Sequence, residues 1–180
     1  MLRRLLNRIF LVLVAAGLVV GLTAPGAQAQ EIAIIQATAT VLSSMSAVGT
    51  HNLQFGTVTP GVNKTVDKAS AADAGAWTIT GLAGAEVSLT FDLPTELQHN
   101  SLGSTIPVVF SATDASYDDG TGGGQAAPVG VINPSAPGLL NIGAGGSLEL
   151  WIGGRAMPAI SQTSGDYSAD ISLIIAYTGG

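Results

Sequence analysis

Residues 165–177 read Gly-Asp-Tyr-Ser-Ala-Asp-Ile-Ser-Leu-Ile-Ile-Ala-Tyr. Every second residue is apolar or aromatic: Tyr167, Ala169, Ile171, Leu173, Ile175 and Tyr177. Asp166, Ser168, Asp170 and Ser172 fall between them. Side chains alternate across a strand, so this stretch has one core-facing side and one wet side. Only Thr178, Gly179 and Gly180 come after it. A sided strand at the end of a chain raises the question of what pairs with its far edge, because an unpaired apolar edge recruits other strands.

Similar short runs lie upstream. Ile32–Leu42, Asn52–Val58, Ala76–Thr80, Glu86–Leu93, Thr105–Ala112 and Ser147–Ile152 alternate apolar and polar residues and are separated by Gly, Pro, Asn and Asp. Seven such runs with almost no helix signal predict an all-β chain, an immunoglobulin-like antiparallel β-sandwich, with a closed barrel as the second choice. Pro107 has no amide proton, so the fifth run is expected at a sheet edge or to carry a bulge. Asp114–Gly146 is long and rich in Gly, Pro and Ala and is expected to be a surface or mobile loop. Trp77 and Trp151 are expected as core residues on opposing sheets.

The N-terminus has a different character. Arg3, Arg4 and Arg8 precede the apolar run Ile9–Leu22, and Ala27-Gln28-Ala29 is a small-x-small cleavage signal. That is the layout of a secretory signal peptide, residues 1–29. The apolar run is short for a spanning helix, which makes an uncleaved anchor the lesser reading. Cleavage leaves Lys64, Lys68 and Arg155 as the Lys and Arg, against twelve Asp and Glu, a net charge of −9. So acidic a chain has no footprint for nucleic acid or anionic lipid. The absence of Cys leaves packing and backbone pairing to hold an exported domain. The expected localisation is secreted, at the cell surface, with no membrane contact after cleavage.

Chemistry-bearing patterns are sparse. His51 and His99 lie in polar, turn-like settings, and no Gly-x-Ser-x-Gly elbow is present, so no enzyme and no catalytic residue is expected. Gly120–Gly124 lacks the Lys-Ser/Thr ending of a phosphate loop and reads as a flexible loop. Asp114, Asp118 and Asp119 are a weak calcium candidate, since their spacing departs from an EF-hand. No cofactor is expected. Asn63-Lys64-Thr65 is a formal glycosylation sequon.

Leu53-Gln54-Phe55-Gly56-Thr57-Val58-Thr59-Pro60-Gly61, Trp77-Thr78-Ile79-Thr80-Gly81 and Gly165-Asp166-Tyr167 leading to Ile175-Ala176-Tyr177 together resemble a family of secreted bacterial domains of unknown function. The chain departs from that family in its long Asp114–Gly146 excursion. More distantly it is similar to chaperone–usher-type pilins and spore coat U-like domains, through Gly165, the alternating final strand and Tyr177. That similarity implies a sandwich lacking its last strand, completed by a neighbour's N-terminal segment.

On this reading residues 30–41 are an N-terminal strand or a donor extension, and 42–180 the sandwich domain. The donor residues would be Ile32, Ile34, Ile35, Ala37, Ala39 and Val41. The acceptor groove would be Ile171, Leu173, Ile175 and Tyr177. The expected function is a structural subunit of a pilus-like filament that polymerises by donor-strand exchange. Its partners would be identical subunits, with a periplasmic chaperone and an outer-membrane usher implied by the pilin similarity. The alternative is a self-contained secreted adhesion or biofilm-matrix domain binding a partner through its loops.

Overall fold

A computed structural model describes Gln36 and residues 44–179. The leader, the run Ile32–Leu42 apart from Gln36, and the six donor candidates Ile32, Ile34, Ile35, Ala37, Ala39 and Val41 lie outside the described residues. The described chain is all-β and antiparallel. Its strands are β1 (Ser46–His51), β2 (Lys64–Val66), β3 (Gly75–Thr80), β4 (Glu86–Asp92), β5 (Glu96–His99), β6 (Thr105–Val109), β7 (Ala115–Asp118), β8 (Gly130–Ile132), β9 (Gly138–Asn141), β10 (Ser147–Ile152), β11 (Gly154–Ala156), β12 (Tyr167–Ser168) and β13 (Ser172–Tyr177).

These strands form two facing layers. One is the sheet β1-β3-β10-β7-β8, and opposite it lies β13-β4-β9. Between them sits the main core, with Ile79, Leu148, Leu150 and Ile152 from the first layer and Val87, Leu89 and Phe91 from the second. Period-2 alternation places those side chains inward, and burial of each contributes about 1.5–3 kcal/mol. Trp77 of β3 meets Phe91 of β4 edge to face, ring centroids 5.6 Å apart, the geometry that aromatic quadrupoles favour.

Both layers extend past this core. β4 passes through Leu93–Thr95 into β5, and β10 through Gly153 into β11. A third sheet, β12-β5-β6-β11-β2, joins the two extensions around a second core of Phe55, Val66, Ile106, Val108 and Ala156. Its centre is β6, which pairs with β5 on one side and β11 on the other.

That position corrects the expectation for Pro107, because β6 is an interior strand. The β5 register begins at Glu96↔Pro107 and the β11 register ends at Ala156↔Val108. Pro107 stands where pairing passes from one neighbour to the other. Its carbonyl still accepts the Met157 N–H at 2.9 Å, and a missing amide costs least at such a junction.

Four other expectations change. Asn52–Val58 is not a strand. Leu53 and Phe55 do face the second core, but Gly56 turns to φ +60°, a left-handed conformation that ends an extended run. Asp114–Gly146 is not one loop. It holds β7, β8 and β9, and β7 is interior, pairing with β10 and β8. Trp77 and Trp151 share a layer. Trp77 lies opposite Leu150 and points inward, while Trp151 lies opposite Ala76 and Ser116 on the outer face, where it is still buried. Finally, the C-terminal run breaks at Ala169–Ile171 into β12 and β13, matching the bend at Leu93–Thr95 in the strand beside it.

Candidate functional site

Among the described residues the layers are unequal, five strands against three. β13 pairs with β4 along six residues, from Ser172↔Asp92 to Tyr177↔Val87. Among the described residues nothing pairs with its other edge. The strand's phase is as the alternation predicts: Leu173, Ile175 and Tyr177 are half-buried on the core side, and Ile174 is 63% exposed on the other. Ile171, just before β13, packs against the same core. The four acceptor candidates Ile171, Leu173, Ile175 and Tyr177 therefore lie along one side of one core.

Among the described residues β1 is the edge strand of the other layer, at the end away from β8. Ala47 is opposite the fully buried Ile79 and Gly49 opposite Trp77. Paired residues share a face, so Ala47 and Gly49 point inward. They are nonetheless exposed. An inward face that stays in solvent lacks, among the described residues, a strand across from it, and β13 is the edge strand of the three-stranded layer. The opposite flank is different: β8 and β9 are joined by residues 133–137, whose Pro134 is fully buried.

The gap opens into a cleft of about 1060 Å³, lined by Gly49, Trp77, Phe110 and Ile171 and continuing to Pro60 and Gln162. Its wall is braced. The Tyr167 hydroxyl donates to the Thr163 carbonyl at 2.7 Å and receives the Gln162 amide at 2.7 Å. His99 Nδ1 accepts the Ser101 and Leu102 N–H groups, both at 3.0 Å, so its Nε2 carries the proton donated to the Ser164 carbonyl at 3.2 Å. The two rings meet edge to face at 5.0 Å. Gly165 lies against the imidazole, and a Cβ there would overlap it.

The calcium candidates do not converge. Asp114 accepts the Ser111 N–H at 2.8 Å. Asp119 accepts the Thr121 hydroxyl at 2.6 Å and its N–H at 3.0 Å. Asp118 is buried and accepts the N–H groups of Gly120 at 2.7 Å, Gly122 at 3.1 Å and Gly124 at 2.6 Å. Among the described residues no three His, Asp or Glu side chains form a metal cluster. Burial opposes the charge on Asp118, but the N–H groups of Gly122, Gly124 and Gly120 outweigh it and hold its carboxyl below the usual carboxylate range. The Thr121 hydroxyl and amide do the same for Asp119. The Gly120–Gly124 segment, expected to be flexible, is wound around a carboxylate. Gln125, the next residue along, pins the segment from outside by donating to the Lys68 carbonyl at 2.7 Å.

The β1 half of the site is not legible in the sequence. Ser46–His51 is Ser-Ala-Val-Gly-Thr-His, with no apolar period to mark it as a strand. No known protein family matches the chain, and no curated protein sequence matches it.

Proposed function

We propose that this chain is a structural subunit of an extracellular filament, completed by an N-terminal strand donated from an identical subunit. One observation carries the reading: Ala47 and Gly49 share the inward face with Ile79 and Trp77 yet are exposed, and among the described residues β13 has an unpaired edge. An incoming strand would gain backbone hydrogen bonds from β13 and cover Trp77, Leu173 and Ile175.

Residues 30–43 stand upstream of Ser46, where the domain's first described strand begins. The expected first strand Ile32–Leu42 is therefore not needed to account for β1, and the segment is long enough to act as a donor. Four or five buried Ile, Val and Ala side chains, at about 1.5–3 kcal/mol for each large one, make a joint that dissociates slowly. The basic and apolar leader supports export to the surface where such a polymer would form. A chaperone and usher remain the assembly partners that the pilin similarity brings with it.

The test is an unboiled denaturing gel of the mature chain beside Ile34→Asp/Ile35→Asp. A ladder that collapses on boiling, and is lost in the variant, supports strand exchange. A single monomer band in the parent chain refutes it and favours the self-contained adhesion domain.

A further inference from the structure

The long strand runs share one axis. β4–β5 rises from Glu86 to His99, β10–β11 from Ser147 to Ala156, and β12–β13 descends from Tyr167 to Tyr177. The domain therefore has two ends. At one end are the loops 81–85, 142–146 and 178–179. At the other are 57–63, 100–104 and 157–165, tied together by Gly61 N–H to the Ala159 carbonyl at 3.0 Å and Gln162 Nε2 to Ser104 Oγ at 3.0 Å.

Neither set of loops contains a charged residue, although the chain beyond the leader carries −9. The far end instead presents apolar side chains. Ile160 is 90% exposed, Val62 57% and Leu102 55%. Soluble proteins rarely cluster such side chains without a partner. The near end is concave: a hollow of about 420 Å³ is lined by Leu82–Glu86, Tyr177 and Gly179. Its single charged residue, Glu86, accepts the Thr178 hydroxyl at 2.9 Å.

We infer that the far end of one subunit seats on the near end of the next, with Ile160 entering the hollow beside Leu82. The partner is a second copy of this chain. Two observations favour a copy over an unrelated protein. Knob and hollow are on the same molecule at opposite ends, so the contact is head-to-tail and does not close. Like-charged copies also repel least where charges are few, and Glu86 is the one charged side chain lining the hollow against none in the far-end loops. The cleft is continuous with this contact, since it runs out to Pro60 and Gln162 at the far end. The subunit supplying the strand would thus be the one seated there. The inference rests on the filament reading for that last link, but the contact itself is tested separately.

The native chain has no Cys, so Leu82→Cys and Ile160→Cys can be introduced singly and together in the mature protein. After oxidation and boiling, a non-reducing gel reports the end-to-end contact alone. The double variant is expected to give a ladder of trimers and longer species, and each single variant none beyond a dimer. In the Ile34→Asp/Ile35→Asp background, which removes strand donation, Ile160→Asp combined with Leu102→Asp is expected to abolish multimers detected by amine cross-linking, while leaving the circular dichroism spectrum unchanged. An unboiled, reduced gel of the parent reads strand exchange. A strand-exchange ladder without the disulfide ladder overturns the end-to-end contact alone. A disulfide ladder without the strand-exchange ladder keeps the contact and overturns strand donation. Absence of both, or complete dimerisation of Ile160→Cys alone, overturns the head-to-tail contact.

Discussion

The Tyr177 hydroxyl accepts the backbone N–H of Leu82 at 2.8 Å, joining residues 95 positions apart. It fixes the last residue of β13 to the loop that leaves β3, where Gly81 leaves room for the phenol. The C-terminal end of an otherwise one-sided strand is thereby anchored to the opposite layer.

Tyr177→Phe keeps the ring and removes the acceptor. The expected cost is about 0.5–1.5 kcal/mol, the usual net worth of one hydrogen bond, read as a lower urea midpoint. An unchanged midpoint would mean that the ring alone holds the strand end.

Adjacent residues of β13 should differ sharply. Ile175→Ala removes a half-buried side chain on the core and should cost about 1–2 kcal/mol, less than the full range for a closed core. Ile174→Ala, on the solvent side, should stay within about 0.5 kcal/mol. Chemical denaturation of the two variants checks the phase. Equal losses would contradict the assigned faces.

Asp118 predicts an acid limb. Its carboxyl is held low in the folded state by three N–H groups after burial is offset. A depressed carboxylate stabilises the fold fully above its ordinary pKa of about 4, and that contribution is lost as pH falls below this value through the lower folded-state pKa. Asp118→Asn cannot take up this charge. Its stability should be lower at pH 7 and should fall less steeply on acidification, as followed by urea midpoints across the range.

Gly165→Ala drives a methyl group into the His99 ring from a backbone at φ +143°. The loss should exceed about 1 kcal/mol, as for other substitutions where the native φ is positive. Limited proteolysis should show faster cleavage within 157–168. Unchanged cleavage would show that the brace does not hold the cleft wall.

Fold class was legible because the long runs keep their period. β3, β4, β10 and β13 all sit where alternation places them. The elements that escaped notice are short or carry no apolar contrast. β7, β8 and β9 have four, three and four residues, and their Gly and Pro neighbours read as loop. Leu53 and Phe55 misled in the opposite sense, since burial in a bent strap also yields an apolar period. The β13 half of the site was visible for the same reason as the fold. The β1 half was not, because Ala47 and Gly49 owe their importance to being small.

The run of β12–β13 from end to end of the domain also has a mechanical consequence. In a filament pulled along the axis joining the two ends, the six-residue ladder between β13 and β4 is loaded lengthwise. Its hydrogen bonds share the force together instead of opening one after another. A strand laid along the edge of β13 that is unpaired among the described residues would be loaded in the same direction. The joint between subunits and the subunit's own sheet would then resist tension by one mode of failure, sliding, and the shorter of the two ladders would set the breaking load.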